Sequence, residues 1–220
     1  MTARLITLEG GEGAGKSTVL AGVHEYLRKR GIHVLITREP GGTRLGEAVR
    51  CLVLDPAQGD LCAESELLLM FAARAQLVRE VICPALSSGV WVLADRYTDA
   101  SYAYQGGGRG QPAERISELE RWAANGLKPD LTLLLDLPVP IGRRRMLQRN
   151  TQGDSAASDA DRIERESDAF FDRVRAVYAA RASAEPERFR VIDASRSPDR
   201  VLADASRAID ELIARCEARS

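Results

Sequence analysis

Eight residues near the amino terminus, GGEGAGKS at positions 10–17, have the types and spacing to hold a polyphosphate. A glycine followed, after four residues, by Gly-Lys-Ser is the pattern of a phosphate-binding loop. Gly10, Gly11, Gly13 and Gly15, with Glu12 and Ala14 between them, let consecutive backbone N–H groups turn toward one anion. Lys16 adds a cation that would reach the β- and γ-phosphates. Ser17 offers a hydroxyl to a Mg²⁺ ion, and Thr18 continues a helix whose N-terminal dipole favours negative charge. An apolar run at 5–8 precedes the octet and a helix-compatible segment at 17–30 follows it. The loop therefore stands in the strand, loop and helix context its chemistry requires. The competing reading is a glycine-rich turn with no ligand.

Other charged groups fall at the ends of other apolar runs. Asp95 and Arg96 follow the run at 90–94. An acid there can hold Mg²⁺ through water and an arginine can grip a second phosphate with two parallel bonds, unless the pair only caps the strand. Residues 37–43, TREPGGT, set Arg38 and Glu39 ahead of a proline and two glycines, and Arg50 follows a short helix later. One phosphate grip from the loop and a second from these arginines imply two phosphorylated substrates. Phe71 and Arg74 are three apart, so one helix face can present a ring to a base and a guanidinium to its carbonyl. Taken alone, Phe71 reads first as core, because Leu67, Leu68, Ala75, Val78 and Ile82 continue an apolar stripe. Residues 101–110, SYAYQGGGRG, are either part of the same site or a flexible surface loop. Arg143, Arg144, Arg145 and Arg149, then a polar stretch at 151–161, then Arg162, read either as a solvated helix face or as a lid at about 143–166. Such a lid would close arginines over a transferring phosphate.

The elements that must position these groups alternate between strand and helix patterns. Apolar runs at 4–8, 33–37, 90–94, 131–135 and 188–192 are separated by longer helix-patterned segments. This predicts an α/β fold, a five-stranded parallel sheet with helices on both faces, with ligands at the carboxyl ends of the strands. The last helix begins at Ser197 and Pro198, and Val201, Leu202, Ala205, Ala208, Ile209, Leu212 and Ile213 mark its buried face. No repeat or interdomain linker interrupts the 220 residues, which are read as one domain. That length buries about 70% of the unfolded surface without a disulfide or metal. The net charge of −1 gives no basic field for nucleic acid or an anionic membrane. Four cysteines without CxxC spacing and two histidines give no zinc pattern. No apolar stretch approaches the roughly 18 residues that span a bilayer, and no signal-peptide core is present, so the chain reads as cytoplasmic.

Taken in order, GGEGAGKST, TREPGGT, MFAARAQL, ADRY, SYAYQGGGRG and DRIERES resemble the bacterial thymidylate kinases across nearly the whole chain. The resemblance implies a three-layer P-loop NTPase fold of the nucleoside-monophosphate-kinase type. It implies transfer of the γ-phosphoryl of ATP to dTMP with Mg²⁺, usually by a homodimer. Residues 10–18 then match the ATP site, with Arg145 beside it, and Glu12 the acid that meets the sugar 3′-hydroxyl. Phe71 matches the ring that stacks on thymine, Arg74 the guanidinium on its carbonyl, and Ser101 and Gln105 fall among the acceptor contacts. Tyr104 matches a ring that crowds the sugar 2′ position. Arg38, Arg50 and Arg96 match arginines near the acceptor phosphate, with Asp95 the acid associated with Mg²⁺. Some members carry an arginine inside the loop; here Gly13 stands after Glu12, which shifts the catalytic cations to the lid, with Arg149 and Arg162 as the preferred pair. The Glu39–Pro40 bond is a candidate for the cis form. Rival readings are a sibling kinase acting on another monophosphate and a nucleotide-hydrolysing switch, the latter without the Asn/Thr-Lys-x-Asp guanine motif.

Overall fold

The structure, a computed structural model, describes residues 2–59, 61–152 and 160–217, with side chains outside 149–152. Five parallel strands form its centre in the order β2-β3-β1-β4-β5: β1 (Leu5–Gly10), β2 (Val34–Arg38), β3 (Trp91–Asp95), β4 (Leu131–Asp136) and β5 (Phe189–Asp193). Every residue of β1 is buried, as expected of a central strand covered on both faces. Thr7 and Thr132, polar residues in that interior, satisfy each other across a 3.0 Å hydroxyl contact. The edge strands β2 and β5 expose part of their length, including Ile36 and Val191.

Helix α1 (Lys16–Lys29) and helix α9 (Pro198–Glu217) cover one face of the sheet. Their stripes, Val19, Val23 and Leu27 against Ala205, Ile209 and Leu212, share one core cluster with Ile6, Leu8, Leu93 and Leu133. Gly22 permits this approach, since a Cβ there would lie 2.6 Å from Leu202. The other face is covered in two patches. Helix α3 (Ala63–Leu77) runs through a π-helical turn at Val78–Ile82 into α4 (Cys83–Ser87), and Leu77, Val78 and Ile82 pack on Leu5, Val92 and Ala94. Helix α8 (Asp168–Ala184) sets Phe170, Phe171, Val174 and Tyr178 against Tyr104 and Leu134. Helices α2 (Arg44–Leu54), α5 (Thr98–Ser101), α6 (Ala113–Ala123) and α7 (Val139–Gln152) complete the layers.

Two differences from the sequence expectation bear on the site. Each strand runs one or two residues beyond its apolar run, because backbone pairing continues through Gly10↔Leu135, Arg38↔Asp95 and Asp136↔Asp193. Glu9, Arg38 and Asp95 therefore sit on the sheet itself, held by its ladder rather than by loops. Residues 101–110 are not a flexible loop. A π-helix spans Tyr102–Gly108, and its glycines are the surface on which α8 lies. A Cβ at Gly107 would stand 2.9 Å from the Arg173 carbonyl oxygen, and one at Gly108 2.4 Å from the Phe170 ring.

The Arg173 carbonyl is backbone and cannot rotate away, so Gly107→Ala must displace α8. It is expected to cost about 1–3 kcal/mol. Thermal unfolding should show a fall of roughly 2–4 °C per kcal/mol; an unchanged midpoint would contradict this packing.

Candidate active site

The phosphate-binding loop is held open by contacts on its outer side. Gly13 and Gly15 have φ of 71° and 87°, the left-handed region that glycine reaches without strain. A Cβ on Gly13 would lie 2.3 Å from the Gly142 carbonyl oxygen, and one on Gly142 would lie 2.4 Å from that of Glu12. Loop and first turn of α7 thus meet backbone to backbone. Lys16 is nearly buried and donates through Nζ to the carbonyls of Gly10 (3.2 Å) and Gly11 (3.0 Å). Burial lowers its pKa, and the neighbouring Arg96 lowers it further against the opposing pull of Glu12, Asp95 and Glu9.

Arg96 has a φ of 69°, unusual for a residue with a Cβ. Its turn is clamped from both sides: its own N–H donates to the Leu8 carbonyl (2.9 Å) and the next N–H, of Tyr97, to Glu9 Oε1 (2.7 Å). The guanidinium that this turn aims at the loop donates to the Gly10 carbonyl (3.1 Å) and to Glu12 Oε1, and lies 4.6 Å from the Tyr104 ring centre. Tyr104 donates its hydroxyl to the same Glu12 oxygen (3.0 Å). Tyr178 donates to Glu9 Oε2 (2.7 Å). Burial pushes the Glu9 carboxyl up to about 8, with Asp99 adding and the Tyr178 bond and Arg96 opposing.

A cleft of about 620 Å³ opens where these strand ends meet. Glu12, Gly13, Ala14, Gly15, Lys16, Ser17 and Thr18 line one end, and Arg38, Arg50, Asp95, Arg96, Tyr104 and Gln105 line the remainder. Gly10 and Gly11 face a separate cavity of about 30 Å³ behind the loop. Arg38 pairs with Glu47 (2.8 Å), and Arg50 donates to the Pro40 carbonyl (3.2 Å) beside the Glu39–Pro40 bond, which is cis. Asp95 Oδ1 is buried with no partner among the described residues, a free oxygen at the place where the sequence puts a metal-associated acid. Arg145 also reaches the cleft and donates to the carbonyl of Ala194, just past β5 (2.9 Å).

Four expected contacts lie elsewhere. Phe71 is buried among Leu67, Ile116 and Ala123, and it is Met70 that lines the cleft. Successive residues on a helix point about 100° apart, so only one of the pair can face the cavity. Arg74 is fully buried one layer behind the wall, with Nε on Glu39 (2.7 Å), Nη1 on Ser101 Oγ (2.9 Å), Nη2 on the Tyr97 carbonyl (3.0 Å) and the Phe71 ring 4.5 Å away. Ser101 is buried with it. Arg162 does not line the cleft: it donates to the Val53 carbonyl (2.8 Å) and to Glu66, and its backbone N–H to the Leu54 carbonyl (3.0 Å). It anchors the chain there to α2 and α3, while Asp161, Ile163 and Glu164 on either side face the cavity. The Arg149 side chain lies outside the described residues. Sequence reasoning passed over Glu9, Glu66, Met70 and Tyr178. Glu9 had a signal, an acid inside an otherwise apolar strand; Met70 had one in its i,i+4 spacing to Arg74.

Comparison with known proteins shows what this chain is similar to. The sequence pattern of the family described as thymidylate kinase matches residues 8–205. A protein of Pseudomonas syringae pv. tomato named thymidylate kinase is 52% identical over 213 residues, covering 97% of this chain and 96% of its own. One of the same name from Chromohalobacter salexigens is 54% identical over 212 residues, covering 96% and 97%. A third, from Neisseria gonorrhoeae, is 51% identical over 211 residues, covering 96% and 98%.

The raised pKa of Glu9 has a consequence for stability. Its proton is retained in the folded state up to about pH 8 but is lost from the unfolded chain near 4.5, so its contribution is present below 4.5 and lost as pH rises through 8. Glu9→Gln should flatten that decline. Urea-unfolding midpoints of wild type and variant across this interval test it; parallel pH profiles would contradict the assignment.

Proposed function

The chain belongs to the thymidylate kinase family, and from that membership we propose that its cleft transfers the γ-phosphoryl of ATP to dTMP, giving dTDP and ADP. One observation carries the reading to these residues: a phosphate-binding loop and a separate set of three arginines, Arg38, Arg50 and Arg96, line a single cavity. The loop N–H groups and Lys16 take the donor phosphates, with Arg145 at the β5 side of the nucleotide. The three arginines take the acceptor phosphate. Glu12, already bonded to Tyr104, accepts from the sugar 3′-hydroxyl, and the Tyr104 ring crowds the 2′ position in favour of deoxyribose. Met70 and Gln105 line the base end, with Phe71, Arg74 and Ser101 supporting that wall from behind.

The acceptor needs no base to activate it. Its phosphate has a second pKa of about 6, so an oxygen anion is present at neutral pH; in keeping with this, neither histidine lines the cleft. Rate then comes from alignment and from neutralising charge. Ser17 through its hydroxyl and Asp95 through its unpartnered oxygen are the residues that would hold Mg²⁺. Bound there, Mg²⁺ would supply positive charge to offset that of the ATP phosphates. The lid at about 143–166 contributes Arg145 at the cleft, and Arg162 fixes where the segment returns to the body. A homodimer accords with two large apolar side chains, Trp122 on α6 and Leu68 on α3, left in solvent on helices that pack together. The nucleotide chemistry belongs in the cytoplasm.

A coupled assay of ADP release, with Mg²⁺ and ATP and with dTMP, dUMP, UMP, AMP or no acceptor, tests the reading. Strong release with dTMP over UMP and AMP is expected. Lys16→Ala and Arg96→Ala should each lower turnover by about 10²–10³-fold in folded protein. Wild-type turnover in either variant, or ADP release indifferent to acceptor, would reject the proposal.

A further inference from the structure

Arg96 reaches the cleft from a backbone turn that a residue with a Cβ adopts only at a cost, its φ being 69°. The next N–H, of Tyr97, donates to Glu9 Oε1 (2.7 Å), and Glu9 Oε2 accepts from the hydroxyl of Tyr178 on α8 (2.7 Å). The same hydroxyl oxygen stands 3.5 Å from Arg96 Nη1 as an acceptor. Tyr178 thus meets Arg96 twice, through Glu9 at its backbone and directly at its guanidinium. Glu9 and Tyr178 are both buried and neither lines the cleft; Tyr178 borders the small cavity behind the loop. The ring of Tyr178 is core, 6.4 Å from that of Tyr104, in a cluster where Phe170 and Phe171 pack as bare rings. Packing therefore accounts for the ring and leaves the hydroxyl to be explained.

We infer, building on the proposed transfer to an acceptor phosphate, that Tyr178 and Glu9 are positioning residues for Arg96: from outside the cleft they hold its turn and its guanidinium at the place where the acceptor phosphate is gripped. A guanidinium released from them keeps its charge and loses its aim. Two parallel N–H bonds to a phosphate form only when the plane of the donor is fixed, and freedom gained in the unliganded enzyme must be given up again on the way to transfer. The acceptor grip then depends on α8, which joins the site 82 residues after Arg96.

Tyr178→Phe tests this, because it removes one oxygen and leaves the ring. Made both in wild type and in Arg96→Ala, and assayed at limiting dTMP with saturating ATP and Mg²⁺, it closes a double-mutant cycle. In the wild-type background kcat/KM for dTMP should fall about 10-fold, with KM for ATP moving less than about 2-fold. In Arg96→Ala the same change should cost less than about 2-fold, since a residue that acts through Arg96 has nothing left to act on. A hydroxyl that only stabilises the fold would lower the unfolding midpoint and leave kcat/KM of the folded enzyme unmoved, which would overturn the inference; so would an equal kinetic loss in both backgrounds. Glu9→Ala, which takes the acceptor away from the Arg96 turn, should show the same dependence on Arg96 if the first variant fails to fold, and a loss there independent of Arg96, or none, overturns it equally. Wild-type activity in Arg96→Ala alone rejects the functional reading as well.

Discussion

A phosphate-binding loop must point several backbone N–H groups at one spot, and here its own lysine and two neighbouring elements hold them there. Gly13 and Gly142 let the loop rest directly on the first turn of α7, at a distance that no side chain on either residue would allow. The Lys16 ammonium bridges the Gly10 and Gly11 carbonyls, so the loop's oxygens are turned back while its N–H groups remain. Arg96 adds a further donor to Gly10 from the neighbouring strand end. The rest of the architecture serves this arrangement: β1 and β4 must be adjacent for α7 to reach the loop, and β1 and β3 must be adjacent for Arg96 to do so, which is the order observed.

The second theme is the use of buried acids to hold guanidiniums. Glu39 holds Arg74, Glu66 holds Arg109 and Arg162, and Asp99 holds Arg181 and Arg188. Isolated buried charges are expensive, and pairing is what makes them tolerable. Here the pairs tie elements distant in sequence, such as α3 to the segment around Arg162 and α5 to α8. A net charge near zero is compatible with so many arginines because 32 acidic residues balance 31 basic ones. The arginines that line the cleft sit in the same network but at its open boundary, where a phosphate can join the acids as a partner.

How much of this was legible depends on how local the chemistry is. The loop was readable because glycine torsions, lysine reach and helix dipole all lie within nine consecutive residues. The sheet was readable because buried parallel strands are continuous apolar runs, and the α9 stripe because its period is complete. What failed was anything decided by a rotation or by packing between remote segments. Whether Met70 or Phe71 faces the cleft depends on how α3 is turned about its axis, and the apolar stripe accommodates both. The glycines at 106–108 read as flexible because their partner, α8, lies more than sixty residues away and its close approach is invisible locally. Arg162 sits in a basic, polar region that suits a lid, yet its partners, Val53 and Glu66, are in helices read for other reasons.

The contrast between the two ends of the cleft follows from what each must recognise. A triphosphate is bound by charge and by backbone donors, which any sequence of small residues can present, so one loop with one lysine suffices. A base is recognised by the direction of single hydrogen bonds, and an amide such as Gln105 can present either a donor or an acceptor in nearly the same volume. The phosphate-binding loop is a short contiguous stretch, whereas the wall that carries Met70 and Gln105 is assembled from α3 and the π-helix, which one buried carboxylate, Glu66, ties to each other and to Arg162.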